Sequence, residues 1–211
     1  MSKKATINTI CVGADEVDLA ARVLRRGGIA AFPTDTVYGV GAHAFLPQAV
    51  LKLYAAKDRP SDKAIPLLIP DVHALAEVAV AVPRVAYVLA ERFWPGALTL
   101  VLQRARRVPD AVTAGGETVA VRAPDHPLTQ ALLAALGAPL AASSANLSGQ
   151  PPPTTAQGVL DQLAGRIDLL LDGGACPGGV PSTVLDLTVD PPRVLREGGV
   201  PAADIERAVK A

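Results

Sequence analysis

The stretch Lys52–Lys63, KLYAAKDRPSDK, sets the frame for the rest of the chain. Ahead of it, Val50, Leu51, Leu53 and Tyr54 fall at helical spacing. Behind it, Ile65-Pro66-Leu67-Leu68-Ile69 is a short apolar run that reads as a buried strand. The polar turn between them carries Lys57, Arg59 and Lys63. Arginine offers a planar fork of donors and lysine a mobile point charge, a pairing suited to phosphate. The same residue types also suit a solvated helix C-terminus. On this stretch alone both readings stand.

Upstream, Thr6–Val12 alternates loosely and reads as an edge strand. Asp15 is placed to cap a helix with the apolar stripe Val17, Ala20, Ala21, Val23 and Leu24, closed by Gly27-Gly28. Ile29–Phe32 is a short apolar strand stopped by Pro33. Thr34-Asp35-Thr36-Val37-Tyr38-Gly39-Val40-Gly41 then reads as a strand-end loop, whose hydroxyls and glycines let a ligand approach the backbone. A tight turn accounts for the same residues. Pro47 starts the helix that runs into the basic turn.

Downstream, Asp71 and Pro83 open two helices, the second carrying Val85, Val88, Leu89 and Phe93. Trp94-Pro95-Gly96 is a turn and Leu98–Leu102 a strand. Arg104, Arg106 and Arg107 sit in a polar connection before the strand Thr118–Arg122. Pro127 opens a helix through Leu136, closed by Gly137. Leu140-Ala141-Ala142 leads into Ser143-Ser144-Ala145-Asn146 and a stiff proline-rich loop over 149–153. Thr155 caps a helix with Val159, Leu160 and Leu163. Asp168–Leu171, Ser182–Leu187 and Arg193–Arg196 are the last strands, and Pro201 starts a terminal helix with Ile205 and Val209. Alternating strands and helices favour an α/β sheet covered by helices. The last strands are spaced closely enough to pair antiparallel, so the sheet is expected to be mixed. No linker or repeat divides residues 1–211, which read as a single domain.

Composition narrows the function. Half the residues are apolar but only 3% are aromatic, so the core is Ala, Val and Leu, and a base-stacking surface is disfavoured. Zero net charge leaves any attraction for nucleic acid or membrane to a local patch. Cys11 and Cys176 stand far apart in no metal spacing, and free thiols suit a reducing cytosol. His43, His73 and His126 are scattered, without an HExxH pattern, so no protein-built metal site is expected. No run reaches the ~18 apolar residues of a membrane span. Met1-Ser2-Lys3-Lys4 has no apolar core behind it, so no signal peptide is read. The expectation is a cytoplasmic protein without membrane contact.

Known phosphate cradles are missing: GGACPGG (173–179) lacks the lysine and following helix of a P-loop, and no strand–GxGxxG–helix occurs. Ser143, Ser144, Ser148 and Ser182 sit in no GxSxG elbow and read as hydroxyl donors to a ligand, or as simple strand-end turn chemistry.

TDTVYGVGA (34–42), KDRP with Lys63 (57–63), TVAVR (118–122), SSANLSG (143–149), PSTVLD (181–186) and LREGG (195–199) together resemble the motifs of the YrdC-like family, in its order and over nearly the whole chain. Within it the chain looks like the short branch, without the additional C-terminal domain of longer relatives. The resemblance implies a twisted mixed sheet with flanking helices and a basic concave cavity. It also implies a nucleotidyltransferase reaction. L-threonine, bicarbonate or CO2, and ATP would give threonylcarbamoyl-adenylate and pyrophosphate, for the N6-threonylcarbamoyl modification of adenosine 37 in tRNA.

Carried over position by position, the family's threonine contacts fall on Thr36, Arg122, Ala142 and Ser182, with Thr34 a neighbour. Its nucleotide contacts fall on Lys57, Arg59, Lys63, Thr118, Ser144 and Arg196, with Asn146 beside them. Lys57 and Arg59 are the candidate catalytic pair, neutralising the triphosphate. Mg2+ would enter on the ATP phosphates rather than in a protein cage. The loops at 147–153 and 173–181 are candidate lids. Leu68 and Pro152 depart from the family, standing where some longer relatives place a polar or basic contact. The implied partners are these small molecules, with handover to the tRNA threonylcarbamoyl-transfer machinery. Two other readings stay open: a double-stranded-RNA-binding or ribosome-maturation module using the same cations, and carbamoyl transfer to a different acceptor.

Overall fold

The fold follows from short Ala/Val/Leu strands joined by amphipathic helices. It is seen in a computed structural model that describes residues 8–210. The strands are β1 (Ile10–Val12), β2 (Ile29–Phe32), β3 (Gly39–His43), β4 (Leu67–Leu68), β5 (Leu98–Gln103), β6 (Thr118–Arg122), β7 (Leu140–Ser144), β8 (Leu169–Leu171), β9 (Thr183–Asp186) and β10 (Arg193–Arg196). All join one sheet in the order β1-β8-β2-β3-β7-β4-β6-β5-β9-β10. Parallel pairs (β1 with β8, β2 with β8, β4 with β6, β5 with β9) share the sheet with antiparallel ones (β2 with β3, β3 with β7, β4 with β7, β5 with β6, β9 with β10). The mixed α/β sheet expected from the sequence is therefore borne out. Of the N-terminal strand expected over Thr6–Val12, Ile10–Val12 is a strand, and residues 6 and 7 lie outside the described residues.

Eight α-helices are described: α1 (Val17–Arg25), α2 (Pro47–Ala56), α3 (Leu75–Val78), α4 (Arg84–Phe93), α5 (Asp110–Thr113), α6 (Pro127–Leu136), α7 (Ala156–Leu163) and α8 (Ala202–Lys210). Asp15 lies in a 3-10 turn before α1 and makes no side-chain cap, unlike the expected N-cap. Thr155 does cap α7, accepting from the Gly158 amide at 3.2 Å. Asp71 caps a 3-10 turn that runs into the short α3.

Because side chains alternate along a strand, the two faces of the sheet carry different cores. One face buries Val40, Ala42, Leu67, Leu100 and Val121 against Val50 and Leu53 of α2, Leu89 of α4, Val159 and Leu163 of α7, and Ile205 of α8. The other buries Ala30, Phe32, Leu140, Ala142, Leu169 and Leu171 against Ala20 and Leu24 of α1 and Leu132, Leu133 and Leu136 of α6. That second helical layer covers only the β8–β2–β3–β7 half. Over the other half, Thr118 and Ala120 are part-exposed while the alternate residues Val119 and Val121 are buried.

Two elements differ from the sequence reading. The Thr34–Gly41 run was expected to be all loop, yet Gly39–His43 is a central strand paired on both sides, with β2 and β7. Its glycines make room within the protein. A Cβ on Gly39 would stand 3.0 Å from Phe32 Cε2, and one on Gly41 would stand 3.1 Å from the Ala141 carbonyl and 3.3 Å from Phe32 Cε1. The expected strand Ile65–Ile69 is cut to Leu67–Leu68. Pro66 has no N–H to give a ladder, although its carbonyl accepts from the Ala142 amide at 2.9 Å. The Ile65 amide turns away to the Val112 carbonyl.

Candidate active site

A cavity of about 430 Å³ opens on the half-covered face, within the roughly 300–1,000 Å³ range of small-molecule sites. Its wall includes Thr34, Thr36, Arg59, Arg122, Ala142, Ser144, Ser182 and Arg196, together with Leu68 and Pro152. The register explains the convergence. Leu68 is paired with Leu140 on one side and Arg122 on the other, so β7, β4 and β6 share one rung. Ser144 and Thr118 each lie four residues up from that rung, on the faces of β7 and β6 that carry Leu140 and Arg122. β4 does not reach that level, so the sheet parts there.

Arg122 ends β6 and is only 8% exposed. Its Nε donates to the Gly96 carbonyl at 2.8 Å, and Nη2 donates to Asp35 in the β2–β3 connection. Burial pulls its pKa down, the Asp35 carboxylate opposes this, and the nearby Arg196 charge adds to it. Arg196 ends β10. Its Nε and Nη2 donate to the Ser182 carbonyl at 3.1 and 2.7 Å, and Nη2 also reaches the Ser182 hydroxyl at 3.2 Å. That hydroxyl shares a 2.8 Å hydrogen bond with Thr99. Arg59 is held at the rim through its own turn, Nε donating to the Lys63 carbonyl and Nη2 to that of Ala64.

The two threonines divide their work. Thr34 gives its hydrogen to the Val37 carbonyl at 2.6 Å and accepts from the Thr36 and Val37 amides, so it builds the loop. Thr36, 3.0 Å away, donates to Thr34 and keeps its own lone pairs for a guest.

Four residues singled out from the sequence do not line the cavity: Lys57, Lys63, Thr118 and Asn146. Lys57 is 2% exposed, and its Nζ donates to the Ser144 and Asn146 carbonyls. Burial, helped by the neighbouring Arg59 charge, lowers its pKa to about 8. It stands behind the wall and holds the end of β7 in place. The Asn146 side chain spans the Leu147 and Gln150 carbonyls and shapes the proline-rich loop. Lys63 is exposed and offers its carbonyl to Arg59 and Tyr54. Thr118 is half-buried at the far end of β6 from Arg122, about 13 Å away at ~3.3 Å per residue.

Sequence reasoning missed Asp35 and Thr99 as parts of the site. Asp35 was quoted but given no role; Thr99, the one hydroxyl in the apolar strand Leu98–Leu102, was the available signal. Tyr38 was also missed: it is fully buried and donates to the Gly174 carbonyl at 2.7 Å and Asp172 at 3.1 Å, tying the 173–179 loop to the sheet. Among the described residues no group of three or more His, Cys, Asp or Glu is placed to hold a metal ion. No helix among them is long and apolar enough to cross a membrane.

A mixed ten-stranded sheet with an arginine- and hydroxyl-lined hollow on its half-covered face defines an α/β protein whose hollow matches a small anionic ligand in charge. The chain belongs to the Sua5/YciO/YrdC family, described as telomere recombination, whose pattern matches residues 22–198. It is 48% identical over 198 residues to the threonylcarbamoyl-AMP synthase of Bacillus subtilis, covering 92% of this chain and 56% of that one. It superposes on Pyrococcus abyssi Sua5 complexed with L-threonine with a TM-score of 0.91 at 43% identity, over 95% of this chain and 60% of that one. Escherichia coli YciO matches with a TM-score of 0.82 at 29% identity, over 92% and 97% of the two chains. The chain spans about half the length of the first curated relatives it matches, 52–57%.

Proposed function

We propose that this chain is a threonylcarbamoyl-AMP synthase, converting L-threonine, bicarbonate-derived CO2 and ATP to threonylcarbamoyl-adenylate and pyrophosphate. The observation that carries the reading is one hollow that holds a buried, fork-shaped cation beside hydroxyls and two further arginines. Arg122 takes the amino-acid carboxylate, and Thr36 and Ser182 orient its hydroxyl and amine. Arg59 and Arg196 receive phosphate oxygens. The threonine complex of the Pyrococcus relative supports the amino-acid half of the reading.

The threonine nitrogen adds to the carbon of CO2 and loses a proton, giving a carbamate. A carbamate oxygen then forms a bond to the α-phosphorus of ATP, and the bond to the β,γ-pyrophosphate breaks. Such displacement needs alignment and charge neutralisation more than a protein nucleophile. The cavity wall offers hydroxyls and guanidinium groups; Mg2+ would be carried by the ATP phosphates and would spread their charge. Lys57 serves this chemistry from behind, by fixing the Ser144 end of β7. Ser144 and Thr118, facing each other across the parted sheet, lie along the path of the nucleoside. The adenylate then passes to the enzyme that modifies adenosine 37 of tRNA.

Pyrophosphate release that requires threonine and bicarbonate together is the expected result. Release indifferent to threonine would reject the reading.

A further inference from the structure

Three arginines line the cavity, and the structure treats them unequally. Among the described residues, neither Arg59 nor Arg196 has a carboxylate within ion-pair distance; both are held by carbonyl oxygens, which leave their charge intact. Arg122 alone is paired with an acid, Asp35, and both side chains are largely buried, at 10% and 16% exposed. Asp35 itself does not line the cavity. It approaches Arg122 from behind, on the loop between Thr34 and Thr36.

The contacts of Arg122 leave a defined opening. A guanidinium has five N–H bonds. The Nε hydrogen goes to Gly96 and one Nη2 hydrogen to Asp35. Both Nη1 hydrogens and one Nη2 hydrogen remain, donors of the kind that a carboxylate accepts in charge-assisted bonds. Gly96 and Asp35 therefore hold the plane of the group through Nε and Nη2 and leave Nη1 for a guest.

The charge balance matters as much as the geometry. An unpaired guanidinium in a water-poor site binds the most highly charged anion on offer, which next to a triphosphate is a phosphate group. An arginine already half-neutralised by a carboxylate attracts a polyanion less, because the acid repels each added negative charge. A monoanionic carboxylate, arriving with one charge, suffers least from that repulsion. The other oxygen of Asp35, Oδ1, is buried and has no hydrogen-bond partner, so the acid keeps its full field near Arg122.

We infer that Asp35 is a positioning and specificity residue, which reserves Arg122 for the amino-acid carboxylate and excludes phosphate from it. It acts through Arg122 and touches no reacting atom. The inference rests on the threonine-and-ATP reading above and adds a division of the cationic hollow into a carboxylate end and a phosphate end.

The test is Asp35→Asn, which keeps the shape of the side chain and removes its charge. With ATP present, the KM for threonine should rise about tenfold, because phosphate groups now compete for Arg122, while the KM for ATP stays within a factor of about two. Inorganic pyrophosphate should also become a competitive inhibitor against threonine, a gain that mere loosening of the fold does not produce. Equal increases in both KM values, or no new competition by pyrophosphate, would overturn the inference. Should the unaltered protein show no threonine-dependent turnover, the functional reading falls by itself. Calorimetric titration with pyrophosphate then decides on Asp35, because Asp35→Asn must still bind it more tightly than the unaltered protein, and equal binding sinks the inference. If Asp35→Asn does not fold, the unaltered protein crystallised with threonine gives the answer. A carboxylate on Nη1 of Arg122 with the Asp35–Arg122 pair intact supports the inference; a carboxylate that displaces Asp35 refutes it.

Discussion

Lys57 donates from Nζ to the carbonyl oxygen of Ser144, 87 positions later in the chain, and so pins the end of β7 to the end of α2. The same ammonium reaches the Asn146 carbonyl, and the Lys57 carbonyl accepts from the Ser148 amide at 2.9 Å. Replacing Lys57 with methionine keeps the stem and removes the donors, leaving two carbonyls without this partner. Stability to urea should fall by about 1–3 kcal/mol, the cost of unpaired buried groups. Turnover should fall with it, as the Ser144 wall loses its anchor.

The pH dependence of that stability has a defined sign. The folded pKa of Lys57, about 8, lies below its ordinary value of 10.5. Between these values the unfolded chain binds more protons than the folded one, so raising the pH favours folding. The cost of burying the charge is fully present below about pH 8 and is relieved towards pH 10.5. Urea titrations over this window should show the unaltered protein gaining stability relative to Lys57→Met. A constant difference would contradict a charged, buried Lys57.

Arg196 and Ser182 form the other fixed corner of the site. Arg196→Lys keeps the charge but cannot bridge the Ser182 carbonyl with two nitrogens. The KM for ATP should rise by about tenfold, on the scale of one lost charge-assisted hydrogen bond, with a smaller change for threonine. Initial rates with each substrate varied in turn will separate the two.

Gly198 leaves no room for a side chain. A Cβ there would meet the Pro181 carbonyl and stand 2.5 Å from the Ser182 carbonyl carbon and 2.6 Å from the Thr183 amide nitrogen. These are backbone atoms that cannot swing aside. Gly198→Ala should cost about 1–3 kcal/mol and displace Ser182. The loss of stability should be accompanied by loss of threonine binding, measured by calorimetry.

Tyr38 anchors the 173–179 loop through its hydroxyl. Burial, with Asp172 beside it, raises its pKa well above the ordinary value, so it stays a donor throughout the working pH range. Tyr38→Phe should leave the sheet intact and cost about 1 kcal/mol. Amide exchange should quicken at Gly173 and Gly174 while the β3 amides stay protected.

Much of this architecture was legible in the sequence because it rests on local signals. Pro47, Pro127 and Thr155 mark helix starts where α2, α6 and α7 begin, and Gly137 with its positive φ ends α6. β3 escaped that logic. Gly39-Val40-Gly41 lacks the bulky residues of a strand, and its strand state comes from two paired neighbours and the Phe32 ring lying over its glycines. The cavity wall followed the motifs well at Thr36, Arg122, Ser182 and Arg196. It failed at Lys57, because a lysine in a polar turn looks exposed until the β7 carbonyls are brought over it. It also failed at Asp35, whose partner lies 87 positions away with no local pattern to announce it.

The brevity of β4 has a consequence for what the chain can tolerate. Three further residues in ladder register at its N-terminal end would extend it past the Ala141–Leu67–Val121 rung and fill the interval between Ser144 and Thr118 with side chains. The proline at position 66 is thus a stop mark in the weave: where the ladder halts, a ligand inherits space that a tenth full strand would have taken.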